Sequence, residues 1–315
     1  MRVGIIGCGG IARAHVRVFR ALGAEIAGVT DCRPEAAEKL AAEVGGAVYA
    51  DHGALLDRAG VQAVSVCTPP VAHEEAAVAA LARGVHVLCE KPMAFDAAGA
   101  RRMAAAAAQS AAILMPAFRH RFLPANIALR ALVTDGTLGD VVFFNNVFCG
   151  PAFGMEGSWF TKRAIAGGGC LLDTNSHSVD LFRFIVGEIT EQHAVMHRHF
   201  RTTDVEDAGI LIIKAENGAV GALQSAFVAG VGAAVIDVMG TRGRAIYDYD
   251  EADKLRVRLT SDADWSVRAV APSDGFAEEV THFLSAVRGE ASLSCTAHDG
   301  VRVMEVIDAA YAEQQ

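Results

Sequence analysis

Over the first 118 positions, apolar residues fall into short runs separated by longer amphipathic stretches. The runs at 3–6, 25–30, 47–49, 61–67, 85–89 and 113–117 have the length and β-branching of buried strands. Between them, 11–22, 34–44, 73–83 and 95–110 carry apolar residues at helical spacing. Repeated strand-helix-strand units require a parallel sheet covered on both faces, so this region predicts a doubly wound α/β domain ending at Phe118.

The rhythm changes past that point. A helix over 126–134, a strand over 141–148, a glycine-rich loop at 167–169 and a helix over 174–185 are followed by strands in direct succession, at 188–200, 208–215, 219–227, 233–238, 244–249 and 255–259. Asn217-Gly218 between two of them is a hairpin signal, and helices over 275–287 and 298–311 close the chain. The expectation is a second domain, 119–315, of α+β type on a largely antiparallel open sheet. Residues 218–240 are weakly charged, but Gln224, Ser225, Asp237 and several glycines break them into two strands rather than a membrane helix. The apolar segment 226–238 predicts a flat sheet face buried against a second copy of the chain, in a homodimer or homotetramer; a helix of the same chain is the competing cover.

Composition narrows the partners. The chain of 315 residues is 52% hydrophobic and 21% charged, which excludes a disordered protein. A formal charge of -9 gives no footprint for nucleic acid, and no basic cluster suits a membrane surface. The 7 cysteines are scattered without a CxxC pair, as in a reduced cytoplasmic protein, and Met1-Arg2 runs into residues 3–6 without a secretory leader. Of the histidines, His197 and His199 share a strand face near His193, yet no carboxylate joins them at ligand spacing, so no metal site is expected.

The first chemical motif is Gly7-Cys8-Gly9-Gly10-Ile11-Ala12, a G-x-G-x-x-A run between the first strand and first helix. Gly7 serves a tight turn, Gly9 lets backbone approach a pyrophosphate, and Ala12 lets helix and strand pack closely. With Gly10 and Ile11 at the helix start, this predicts a Rossmann dinucleotide site. Asp31, at the end of the second strand, is placed to accept from an adenosine ribose and repel a 2′-phosphate, favouring NAD over NADP. Cys32 follows it, and Arg33 could either serve a phosphate or be a solvated helix-start residue.

Two further clusters stand out. Glu90-Lys91-Pro92 follows the fifth strand at the carboxyl edge of the sheet, where open α/β folds place ligands. Farther on, the run Gly167-Gly168-Gly169-Cys170-Leu171-Leu172-Asp173 leads to His177, and the four-residue interval puts Asp173 and His177 on one helical face. A carboxylate beside an imidazole makes a competent proton acceptor near neutral pH.

With these motifs, Cys67-Thr68-Pro69-Pro70 with His73, and Phe118-Arg119-His120-Arg121-Phe122, the chain resembles the Gfo/Idh/MocA oxidoreductase family, which includes glucose-fructose oxidoreductase and inositol 2-dehydrogenase. The resemblance implies Lys91, Asp173 and His177 as the catalytic set, with His177 moving the hydroxyl proton, Asp173 orienting it and Lys91 binding the reacting oxygen. Whether Lys91 or His177 is the formal base is left open. It also implies a cofactor groove lined by Thr68, Pro69, His73 and Glu90 and approached by Trp159. Arg119, His120, Arg121, Asn145, Lys162, Arg163 and Asn175 are candidates for the substrate rim. The family often has two adjacent arginines where this chain has Arg119-His120-Arg121.

The implied activity is an NAD-dependent dehydrogenase or ketoreductase acting on a ring hydroxyl of a sugar, cyclitol or amino-sugar derivative. No Tyr-x-x-x-Lys pair supports a short-chain dehydrogenase, and no cysteine cluster supports a zinc alcohol dehydrogenase. The competing class is a non-catalytic dinucleotide sensor, against which Lys91, Asp173 and His177 argue.

Overall fold

The computed structural model describes residues 1–151, 155, 157–199 and 203–314. The chain forms two compact units, Met1–Phe118 with Phe276–Met304, and Arg119–Gly275 with the chain from Glu305 onward.

The first unit alternates β1 (Arg2–Ile6), α1 (Gly10–Ala21), β2 (Glu25–Thr30), α2 (Pro34–Val44), β3 (Ala47–Val48), α3 (His52–Arg58), β4 (Ala63–Val66), α4 (His73–Leu81), β5 (His86–Cys89), α5 (Ala97–Ala108) and β6 (Leu114–Pro116). All pairings are parallel, in the order β3-β2-β1-β4-β5-β6. This is the doubly wound sheet that the apolar runs predicted. Adjacent β1 and β4 run on to opposite sides of the order, so a crevice opens at the carboxyl ends of these two strands. Helix α3 lacks the long apolar periodicity of its neighbours. Its start is fixed by the Asp51 side chain, which accepts from the Ala54 N–H at 2.7 Å, and buried Leu55 and Leu56 pin it to the unit.

In the second unit, α6 (Pro124–Thr134), β7 (Val141–Pro151), the short α7 (Arg163–Ala166) and α8 (Cys170–Asp173), and α9 (Asn175–Ile185) precede β8 (Ile189–His197), β9 (Ala208–Ala215), β10 (Val220–Ala226), β11 (Val228–Gly240), β12 (Gly243–Asp248), β13 (Lys254–Leu259) and β14 (Ser266–Ala269). Residue 200, the expected end of β8, lies outside the described residues. The eight strands are ordered β14-β13-β12-β11-β7-β10-β9-β8. Pairing is antiparallel except between β10 and β7.

Strict alternation sorts the faces of this sheet. Phe144, Leu211, Leu223, Ile236, Val238 and Tyr247 are buried on the face that carries α9, where Phe182 meets Phe144 at 5.4 Å. The opposite face keeps Phe143 45%, Ile212 45% and Val195 68% exposed.

The chain then forms α10 (Phe276–Val287) and α11 (Ala297–Ala312). A single break after Phe118 does not describe this return: residues 276–304 cluster with the first unit. The cause is apolar packing of α10 on α1, where Phe19 and Phe283 meet edge to face at 6.5 Å and both are fully buried. No helix among the described residues is long and apolar enough to cross a membrane.

Candidate active site

The glycine turn shows why each residue type is needed. Gly7 has φ +92, and a Cβ there would lie 2.7 Å from the Cys67 carbonyl carbon and oxygen and 2.8 Å from Thr68 N. Gly7 N–H donates to Thr30 O at 2.8 Å, drawing the loop against the end of β2. Gly9 and Gly10 are opposite in character, since a Cβ on either would meet no atom within 4 Å. Open space at the start of α1, where N–H groups lack intrahelical partners, is what a pyrophosphate requires.

Asp31 closes the turn. Its carboxylate accepts from Cys8 N–H at 2.7 Å, Arg33 N–H at 2.9 Å and Arg33 Nε at 3.3 Å. Burial pushes this carboxyl up, but those three donors outweigh burial and hold it below the ordinary aspartate value, so it is an anion at neutral pH. Arg33 Nε is thereby turned to Asp31 while its side chain stays largely exposed. Cys32 is exposed beside it, whereas burial pushes the Cys8 thiol up to about 12 and keeps it protonated. Thr68 Oγ1 is buried and meets no hydrogen-bond partner among the described residues, and the backbone of Thr68 lies against the Gly7 turn. The open glycines, the anionic Asp31 and the unmet Thr68 hydroxyl together fit a dinucleotide.

His73 and Glu90 depart from the expected groove lining. His73 is wholly enclosed, with Nδ1 2.9 Å from Pro92 O and Nε2 2.7 Å from Thr68 O. It ties the loop after β4 to the loop after β5 and acts through them rather than by touching a ligand. Glu90 is turned inward, with Oε1 2.8 Å from Nε2 of fully buried His15 and Oε2 accepting from Lys91 N–H at 3.1 Å. His15 Nδ1 in turn meets Ser65 Oγ at 2.9 Å. Burial raises the Glu90 carboxyl, yet His15 and Lys91 more than compensate and leave it below its ordinary value. Glu90 is thus a buried anion that fixes the backbone of Lys91. His15, buried on α1 three residues after Ala12, was legible only as one more core position.

In the second unit, the Gly167–Gly169 loop is shaped by a clamp that the sequence did not disclose. Glu206 Oε1 accepts from Gly169 N–H at 2.9 Å, Leu171 N–H at 3.0 Å and the Tyr311 hydroxyl at 2.7 Å. A Cβ on Gly169 would overlap the Glu206 carbonyl, and one on Gly168 would overlap the Tyr311 hydroxyl. Glu206 and Tyr311 lie 105 positions apart, so no local pattern links them. The clamp presents α8, whose last residue is Asp173, and after Thr174 the chain continues into α9 with His177 in its first turn. Asp173 and His177 therefore lie on two helices joined at Thr174, where the four-residue interval predicted one helical face.

His177 is 8% exposed and packs edge to face on His120, the ring centroids 4.5 Å apart. His120 lies in turn against Phe148 at 5.1 Å and Tyr249 at 5.4 Å. An open hollow of about 300 Å³, lined by Phe148, Cys149, Thr174, Phe227 and Ala234, adjoins this helix junction and is mostly apolar.

Several rim candidates are otherwise engaged. Arg121 is buried in a forked ion pair with Asp180 at 2.7 to 2.9 Å, joining the turn after Phe118 to α9. Asn175 is fully buried and donates to Leu223 O at 3.2 Å, anchoring α9 to β10. Asn145 pairs with Ala222 and Asp237 on the same face as Phe143, opposite to α9, because strand alternation turns it there. Arg119 donates to Asp274 O at 2.5 Å. Arg163 holds the 204–206 segment through Asp204, its backbone N–H donating to Oδ1 at 2.6 Å. Lys162 precedes α7, and Trp159 stacks on Phe160 at 3.7 Å. His197 and His199 lie 4.5 Å apart, and among the described residues no cluster of His, Cys, Asp or Glu is arranged to hold a metal ion. All 7 cysteines are free thiols.

Comparison with known proteins agrees with both halves of the chain. The profile described as "Oxidoreductase family, NAD-binding Rossmann fold" matches residues 1–118, and "GFO/IDH/MocA C-terminal domain" matches residues 127–246. The 1,5-anhydro-D-fructose reductase of Ensifer adhaerens is 30% identical over 309 residues, covering 95% of this chain and 92% of that protein. Among solved structures, a levoglucosan dehydrogenase in complex with NADH and L-sorbose superposes with a TM-score of 0.92 at 25% identity, over 99% of this chain and 96% of that one. GenD2 from gentamicin A biosynthesis, in complex with NAD, gives a TM-score of 0.89 at 27% identity, over 99% and 93%.

Proposed function

The chain belongs to the Gfo/Idh/MocA oxidoreductase family, and from that membership we propose an NAD-dependent dehydrogenase that moves a hydride between nicotinamide and a ring hydroxyl or ketone of a sugar, cyclitol or amino-sugar derivative. The observation that carries the cofactor half is the glycine turn, strained at Gly7 and open at Gly9 and Gly10, with an anionic Asp31 at its edge. Relatives that are an anhydrofructose reductase and a levoglucosan dehydrogenase with L-sorbose bound support a sugar-like ring as substrate.

In this reading Gly7, Gly9, Gly10 and Ile11 present the N-terminus of α1 to the pyrophosphate, and Asp31 accepts from the adenosine ribose. Because the anionic Asp31 repels a 2′-phosphate, NAD is preferred to NADP. Thr68, Pro69 and Trp159 border the ring. When bound, the nicotinamide supplies the carbon that takes or gives the hydride. Lys91 holds the substrate oxygen and favours its developing negative charge, His177 takes the hydroxyl proton, and Asp173 orients and stabilises the imidazolium. Each contribution reverses for ketone reduction.

Two further features belong to the same proposal. The open face of the eight-stranded sheet packs against a second copy, giving a homodimer or a dimer of dimers. Free thiols throughout suit a cytoplasmic protein.

The experiment is NADH formation over a panel of cyclitols, anhydrosugars and amino sugars, for the parent, Lys91→Ala and His177→Ala. General acid–base groups contribute about 10²- to 10⁴-fold, so each change should lower kcat by about that factor with the fold intact. Turnover untouched by both changes removes the catalytic assignment.

A further inference from the structure

His177 does not stand alone in its unit: a second imidazole, His120, is packed edge to face against it at 4.5 Å and 70°. Two adjacent imidazoles compete for one proton, and a site that needs His177 to take it must keep His120 from doing so. The contacts of His120 with Tyr249 and Asn126 bear on this through the direction of their hydrogen bonds.

Asn126 is fully buried on α6, and its Nδ2 lies 2.9 Å from the His120 carbonyl oxygen and 3.1 Å from Tyr249 Oη. A carbonyl oxygen only accepts, so the amide must face it with its NH2 group, whose other hydrogen then points to the phenol oxygen. The Tyr249 hydroxyl meets two partners among the described residues, this amide and His120 Nδ1 at 3.0 Å. Already accepting from Asn126, it has one acceptor to which to donate, His120 Nδ1. Burial raises the ionisation of this phenol well above its ordinary value, so the hydroxyl keeps its proton. A protonated His120 would turn an N–H toward that hydroxyl and take from the half-buried phenol hydrogen its acceptor among the described residues, which is unfavourable.

We propose that Asn126, Tyr249 and His120 form a directed relay that locks His120 as the neutral Nε2–H tautomer and so makes His177 the sole proton acceptor of the imidazole pair. The proposal rests on the reading of His177 given above. His120, Tyr249 and Asn126 are positioning residues in it, and His120 passes from the substrate rim to this role. Charged and titratable groups lie around the pair. Arg119 lies on the turn of His120, the Arg121–Asp180 ion pair joins that turn to α9, Asp173 precedes His177, and the Tyr247 phenol packs on Tyr249 at 4.6 Å. From β7 the neighbour is Phe148, which carries no charge.

The test is imidazole 15N NMR of the full chain across pH 5 to 9, for the parent, Tyr249→Phe and His120→Phe, beside the pH profile of kcat/KM. In the parent, His120 should carry its proton on Nε2 and stay neutral through the range in which His177 titrates. In Tyr249→Phe, His120 becomes basic, and its charge should lower the His177 midpoint by about one pH unit. In His120→Phe, which keeps a ring in place, the His177 midpoint should stay within a few tenths of a unit of the parent. A parent His120 protonated on Nδ1, or His177 midpoints that coincide in the parent and Tyr249→Phe, overturns the relay. If the NMR shifts occur but the acid limb of kcat/KM ignores the His177 midpoint, the relay stands and the role of His177 in turnover falls.

Discussion

Asp31 does two jobs with one carboxylate. It pins the glycine turn through Cys8 N–H, and it offers its remaining acceptor positions at the edge where an adenosine ribose would lie. A hydrogen bond to a charged acceptor is worth roughly 1.5 to 3 kcal/mol, or about 10- to 100-fold in binding. Asp31→Ser should therefore lose about that factor in kcat/KM with NAD, and the released Arg33 guanidinium should raise activity with NADP. Initial rates with the two cofactors read both effects, and an unchanged NAD:NADP ratio would show that neither residue governs the choice. By contrast, Gly7 cannot be varied to probe cofactor binding, because the Cys67 and Thr68 backbone already fills the place of a side chain.

Among elements, what was legible depended on the distance over which the determining contacts act. Strands β1 to β6 and their crossover helices follow from apolar period and length, which are local. So do the glycine turn and Asp31, because that motif and its partner strand lie within one strand-helix-strand unit. Helix α3 had a local signal, Asp51 ahead of a leucine pair, too short for periodicity to register. The site lost most where polar residues were read as facing a ligand. Arg121, Glu90, Asn175 and His73 all look available in sequence, and each is buried against a partner 5 to 75 positions away. The Glu206 clamp on the α8 loop is the same lesson in reverse, since a carboxylate that shapes the triple-glycine loop had no sequence signature.

That clamp makes a prediction for the loop it holds. Burial raises the Glu206 carboxyl above its ordinary value, against the pull of the Tyr311, Leu171 and Gly169 donors. The folded chain thus keeps a proton that the unfolded chain releases. Its contribution to stability is full below the unfolded value and declines as pH rises through the folded one. All three donors reach Oε1, so Glu206→Gln can present its amide oxygen to them and remove the titration. Melting curves from pH 4 to 8 should show the parent losing ground to Glu206→Gln as pH rises; parallel curves would mean that Glu206 does not titrate on folding. Glu206→Ala, which leaves those buried donors unmet, should cost about 1 to 3 kcal/mol for each donor at any pH.

The proposed assembly rests on a sheet dressed on one side only. Helix α9 packs on the side of Phe144 and Leu223, while across the pleat Phe143, Asn145, Val147, Ile212 and Met239 share a face on which Phe143 and Ile212 are each 45% exposed. The competing idea, that a helix of the same chain covers this face, is at odds with that exposure. Asn145 belongs to it too, which accounts for its absence from the side that bears His177. Toward β12 the face ends in an ion pair, with Arg244 bonded to Asp237 at 2.6 to 2.8 Å, the polar rim expected around an apolar contact. A two-fold axis through such a face sets the same residues against one another, so one charge introduced on β7 appears twice in close approach. Phe143→Lys combined with Ile212→Lys should convert a stable dimer into monomer in sedimentation velocity at micromolar concentration, while the melting temperature of the monomer shows that each chain still folds. A parent that sediments as a monomer, or a double variant that stays dimeric, would assign this face to some other partner.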